Sequence, residues 1–136
     1  MRKIFVDTSA WLALNSKKDA LHQRSFLLYN SLVKKDTFFI TTNFILDETY
    51  TGLLKKIGHR SVVDFGERVQ KSQILKIIHI DEEIEKEAWK LFKKYQDKFF
   101  SFTDCTSFMV MQELKITEVF TYDHHFEQMG FLVIQK

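Results

Sequence analysis

The sequence has no proline, four glycines and a single cysteine in 136 residues. So little proline and glycine leaves no composition for a flexible linker or a low-complexity tail, so a single domain over residues 1–136 is expected. One cysteine excludes an intramolecular disulfide framework and a cysteine-based zinc site. No apolar run approaches the ~20 residues that a membrane-crossing helix needs. The start, "MRKIFVD", has too short an apolar stretch after its basic pair to act as a secretory signal. A cytoplasmic protein with no membrane association is the expectation. An excess of one charge is also missing: 20 basic against 18 acidic residues leave +2, too balanced to establish a nucleic-acid partner alone.

What is abundant is core material, with hydrophobic residues at 45% and fourteen phenylalanines. "KIFVD" (Lys3–Asp7) is short, apolar and rich in β-formers, which predicts a buried strand ending at an acid. Thr8 or Ser9 can cap a helix through "AWLALN". A rough helical period follows over 19–34, then a second strand in "DTFFITT" (Asp36–Thr42). Leu46, Tyr50, Leu53, Leu54 and Ile57 form one face of a helix that Gly58 stops. Further helices are predicted over 61–72, from the cap Asp81 to Tyr95, and over 103–114, the last nearly apolar and hence buried. "ILKIIHI" (Ile74–Ile80), "EVFTYD" (Glu118–Asp123) and "FLVIQ" (Phe131–Gln135) complete a set of five strands. Strands alternating with helices of crossover length predict a three-layer α/β/α sandwich around a mainly parallel sheet. Ligands in such folds bind beyond the carboxyl ends of the strands.

Acids stand at those ends. Asp7 closes the first strand, Asp47 and Glu48 lie one turn into the helix after the second, Asp104 opens the buried helix, and Asp123 ends the fourth strand. Singly, each has an ordinary structural use: Asp7 and Asp123 as turn or cap residues, Asp104 in a capping box with Ser101, Asp47 and Glu48 as surface charges. Gathered on one rim they repel, and at least one is pushed toward protonation unless a cation sits among them. Carboxylate oxygens without cysteine suit a hard cation, Mg²⁺ or Mn²⁺. Metal-assisted hydrolysis of a phosphodiester is the chemistry that fits this set best. A non-catalytic RNA-binding or partner-docking domain is the second reading. Phosphotransfer through Asp7 as nucleophile is the third, and it lacks a second Asp two residues after Asp7.

"FVDTSAW" (5–11), "TTNFILDET" (41–49), "SFTDCTSFMVM" (101–111) and "VFTYDHHF" (119–126), in this order and spacing, resemble the PIN-domain ribonucleases, including the VapC-type toxins of prokaryotic toxin–antitoxin pairs. The resemblance implies a Mg²⁺- or Mn²⁺-dependent endonuclease acting on RNA, a small antitoxin partner and a homodimer. It also implies roles: Asp7 and Asp104 as metal-binding carboxylates facing each other, Glu48 as the helix-borne acid, and Asp123 as a fourth member. Thr8 or Ser9 and Thr121 are then supporting hydroxyls. The helical wheel alone does not choose Glu48, which lies roughly opposite the apolar stripe, while Asp47 lies at its edge.

A basic stretch between Lys55 and Lys76, including Lys55, Lys56, Arg60 and Arg68, reads as a solvated face or as an RNA-facing patch. Cys105 reads as a buried, inert thiol. Trp11 and Trp89 read as core, as do Met109 and Met111, while Phe99, Phe100 and Phe102 read as core or helix-packing rings. His125 reads as an exposed histidine without a special part.

Overall fold

The computed structural model describes residues 1–134. The elements in chain order are β1 (Arg2–Val6), α1 (Thr8–Asn15), α2 (His22–Leu32), β2 (Thr37–Thr42), α3 (Asn43–Ile57), α4 (His59–Lys71), β3 (Leu75–Ile78), α5 (Glu82–Lys94), α6 (Phe102–Glu113), β4 (Glu118–Phe120), α7 (His125–Gln128) and β5 (Leu132–Ile134). The five strands form one sheet in the order β3-β2-β1-β4-β5, with every pairing parallel. Right-handed crossovers then put the helices of the β1–β2–β3 half and those of the β3–β4–β5 half on opposite faces. This is the expected α/β/α sandwich. Among the described residues no helix is long and apolar enough to cross a membrane.

Three local chemistries set the frame. β1 is central, and its inner residues Ile4, Phe5 and Val6 are buried on both faces, as a parallel strand covered by helices must be. α6 is largely buried, its polar Thr106 and Ser107 included, and packs Phe108 against Phe126 and Phe131, with ring centroids 5.0 and 5.8 Å away. α3 starts with Thr42, whose hydroxyl accepts the Ile45 amide at 3.1 Å, and ends at Gly58, whose φ of 86° favours a residue without Cβ.

Several expectations need correction. β4 ends at Phe120 instead of Asp123, because hydroxyls take over the next backbone donors: Ser9 Oγ accepts the Tyr122 amide (2.9 Å) and Thr121 Oγ1 accepts that of Asp123 (3.0 Å). β3 stops at Ile78, two residues short, and the Ile80 amide turns to Asn43 Oδ1 at 2.7 Å. α4 begins at His59, two residues earlier than 61, and α7 was not expected. β5 covers Leu132–Ile134; Gln135, in the expected strand, lies outside the described residues. Trp11 is core, but Trp89 is 53% exposed and Phe99 85% exposed, whereas Phe100 is buried. α5 presents Ile84, Ala88, Leu91 and Tyr95 inward, and Trp89 stands one residue, about 100°, off that stripe.

Candidate active site

The topological switch point lies between β1 and β4: from β1 the chain winds outward through β2 and β3 on one side of the sheet, then returns to add β4 and β5 on the other. Val6 pairs with Phe120, so Asp7 and Thr121 emerge side by side, and the Asp7 amide donates to the Phe120 carbonyl at 3.1 Å. Asp7 is 5% exposed. Its Oδ2 accepts from Thr121 Oγ1 at 2.8 Å and Ser9 Oγ at 3.3 Å. Two of the expected supporting hydroxyls therefore stand behind this carboxylate. The third, Thr8 Oγ1, donates to Glu48 Oε1 at 2.9 Å. That contact draws Glu48, not Asp47, toward the end of β1.

Asp104 sits in a formed capping box. Ser101 Oγ accepts the Asp104 amide at 2.9 Å, and Asp104 Oδ2 accepts the Ser101 amide at 3.0 Å. The same Oδ2 lies 3.0 Å from His125 Nδ1. His125 Nδ1 is also 3.3 Å from Asp123 Oδ1, which accepts the His125 amide at 2.9 Å. His125 thus bridges two of the acids. It is mostly buried, against the ring of Phe100 at 5.3 Å, which overturns its reading as an exposed bystander. The signal available in the sequence was its position two residues after Asp123, the spacing at which an Asp side chain folds the backbone back on itself. His124 remains exposed.

The electrostatics match the crowding. Burial, foremost, pushes the Asp7 carboxyl up to about 7; the Thr121 hydroxyl opposes this, and the charges of Asp104 and Asp123 add to it. Asp104 is raised as well, chiefly by burial and further by Asp123, against the lowering effect of the Ser101 amide and His125. Two buried carboxylates that hold protons too tightly, next to a third, form a place where a cation is worth most. The oxygen donors of Asp7, Asp104, Glu48 and Asp123 suit Mg²⁺ or Mn²⁺. Among the described residues, the one set of three Asp, Glu, His or Cys groups with ligand atoms all within 4.8 Å of one another is Asp123, His124 and His125. In that set, Nδ1 of His125 is already engaged by Asp104 and Asp123.

The remaining sequence-selected residues lie elsewhere. Lys55 and Lys56 are in the last turn of α3, Arg68 in that of α4, and Arg60 at the start of α4, all exposed. Cys105 is fully buried, and burial raises its thiol to about 11, with the Asp104 charge adding to the effect, so it is inert.

A five-stranded parallel sheet with hydroxyl-backed acids at the β1/β4 switch point defines a class of nuclease-like α/β domains. The chain belongs to the PIN domain family, which it matches over residues 4–132. It is 33% identical over 132 residues to the 23S rRNA-specific endonuclease VapC20 of Mycobacterium tuberculosis (strain H37Rv), covering 97% of this chain and 98% of that one. It is 35% identical over 123 residues to the VapC ribonuclease of Archaeoglobus fulgidus, covering 89% and 77%. Its fold superposes on the crystal structure of VapC20, a sarcin–ricin loop cleaving toxin, with a TM-score of 0.89 over 98% of this chain and 99% of that one. The VapBC2 structure of Rickettsia felis, bound to a DNA fragment from its promoter, shares the fold at 12% identity and a TM-score of 0.71, covering 97% of each chain.

Proposed function

We propose that residues 1–136 act as one Mg²⁺- or Mn²⁺-dependent endoribonuclease domain, the toxin of a toxin–antitoxin pair. The observation that carries this reading is the convergence of Asp7 and Asp104, both buried and both raised in pKa, with Asp123, while Glu48 is tied to the residue after Asp7 by the Thr8 hydroxyl. Relatives named as ribonucleases, matched over most of both chains, support it.

Asp7, Asp104, Glu48 and Asp123 would hold the ion. When bound, such an ion polarises a phosphoryl oxygen and lowers the pKa of a bound water toward neutrality. The chain does the positioning. Thr121 and Ser9 fix the Asp7 carboxylate, Thr8 fixes Glu48, and His125 ties Asp104 to Asp123. Hydrogen-bonded partners behind ligands orient them and tune their basicity. The test is cleavage of single-stranded and hairpin RNA by the purified chain, present with Mg²⁺ or Mn²⁺ and lost with EDTA. RNA binding without cleavage at every metal concentration would favour the non-catalytic reading instead.

A small antitoxin is proposed as the partner, since structural neighbours include VapBC2 of Rickettsia felis and FitAcB of Neisseria gonorrhoeae. A homodimer is proposed through α5. Trp89 and Phe92 are exposed and stack at 5.7 Å, and both lean on Phe102, two residues before Asp104. α5 is acidic in its first half (Glu82, Glu83, Glu85, Glu87) and basic in its second (Lys90, Lys93, Lys94). Antiparallel pairing of two copies sets each acidic half on a basic one, as a two-fold interface requires. Trp89→Ser is expected to shift a wild-type dimer to monomer in size-exclusion chromatography with light scattering. A monomeric wild type at tens of micromolar, or a variant that stays dimeric, would refute this face.

A further inference from the structure

We infer that the protein carries a second phosphate subsite, built from Lys17, Lys18, Lys56 and Arg68, which grips the RNA backbone a few nucleotides from the acids. The inference rests on the RNA-acting reading above and deepens it. Three observations carry it.

The first is convergence. These four side chains line one cavity of about 400 Å³, with a single acid, Asp64, among its lining residues. Of the basic residues that sequence reasoning selected, Lys56 and Arg68 are here and Lys55 and Arg60 are not. The fold adds Lys17 and Lys18 from the segment after α1, a part of the chain that the charge pattern did not select. A helix C-terminus attracts lysines for its own reasons, which accounts for Lys56 at the end of α3. It does not account for the gathering of cations from three segments.

The second is the absence of partners. Among the described residues, Lys71, Lys86 and Lys90 each pair with a glutamate one turn away. Lys17, Lys18, Lys56 and Arg68 make no ion pair or hydrogen bond there. Ser61 and Asp64, on the same side of α4 as Arg68, line the cavity too, so it runs along one face of that helix. Like charges gathered without partners are compensated by an anion.

The third is placement. α1 and α3 run side by side in one direction. Thr8 bonds Glu48; four residues on, Leu12 abuts Gly52, where a Cβ would lie 3.1 Å from the Leu12 side chain; four residues further, Ser16 and Lys56 line the cavity. Eight helical residues from Glu48 to Lys56 span ~12 Å. Phosphates rise ~3.4 Å apart along one strand of a duplex, so the subsite meets the backbone roughly three to four nucleotides from the acidic cluster. Four cations offering no base-reading geometry suit sequence-independent phosphate contact.

The experiment compares wild type with the triple variant Lys17→Gln/Lys18→Gln/Lys56→Gln, using a fluorescein-labelled 30-nucleotide hairpin RNA and a 4-nucleotide RNA, with Lys35→Gln as an exposed control. Thermal unfolding first checks that the variants fold equally. The triple variant is expected to bind the hairpin about tenfold more weakly at low salt. Its plot of log K against log salt should be shallower by about 2, since each lost phosphate contact removes ~0.7–0.9. The ratio of kcat/KM for the hairpin to that for the 4-mer should also fall about tenfold. An unchanged slope and ratio, or an equal effect from Lys35→Gln, would overturn the subsite. A wild type that binds the hairpin with the expected slope but cleaves neither RNA would sink the nuclease reading and leave the subsite standing. A wild type that binds no RNA would sink both.

Discussion

Asp7→Asn is expected to stabilise the metal-free protein at pH 8 while abolishing RNA cleavage. The carboxyl is raised from 3.8 to about 7, first by burial and then by its acidic neighbours. The folded state therefore holds this proton more tightly than the unfolded chain does. The corresponding stability is complete below the unfolded pKa near 4, declines as pH rises, and is gone above about 7. At 1.36 kcal/mol per pH unit, the ionised carboxylate costs the metal-free fold on the order of 4 kcal/mol at most. Asn keeps an acceptor for Thr121 and Ser9 and never ionises. Thermal unfolding in EDTA should show the wild-type midpoint falling by about 10 °C from pH 5 to pH 8 relative to Asp7→Asn. Mn²⁺ should recover much of that loss in wild type and little in the variant. A variant less stable than wild type at pH 8 without metal would contradict the account of this site.

Asp104→Asn carries the second large effect, because it separates two uses of one side chain. As the third residue of a capping box, Asp104 needs only an acceptor for the Ser101 amide, which Asn supplies. As a cation ligand beside Asp123, it needs its charge. Loss of a partner standing behind a metal ligand typically costs ~10–100-fold in activity or metal affinity, so loss of the ligand charge itself is expected to cost more than ~100-fold in cleavage. The variant should unfold within a few degrees of wild type. Circular dichroism melting and single-turnover RNA cleavage on the same preparations check both halves. A variant that is stable and fully active would reduce Asp104 to a cap.

These effects show what could be read from the chain and what could not. β1, the buried α6 and the acid after each central strand were legible because apolar runs and helical period report burial directly. The convergence of Asp7 with Asp104 and Asp123 followed from parallel topology and the switch-point rule. Glu48 was not legible from its wheel. α3 buries Ile45, Leu46, Thr49 and Leu53, but it also touches α1, and Glu48 faces that second neighbour through Thr8. His125 was missed because α7 is only four residues long and carries too little periodicity to announce itself. Trp89, expected in the core, is exposed because it lies about 100° off the Ile84–Tyr95 stripe. The cationic cavity joins Lys17 and Lys18 to Lys56 and Arg68 across about forty to fifty residues, a tertiary fact with no local signature.

The most direct test of the central claim is a Mn²⁺ titration of hairpin-RNA cleavage, with wild type and Asp104→Asn measured side by side from metal-free protein. The account predicts no cleavage in EDTA, saturable cleavage by wild type as Mn²⁺ rises, and little or none by the variant over the same range. Cleavage that persists in EDTA, or equal cleavage by both proteins, would contradict it.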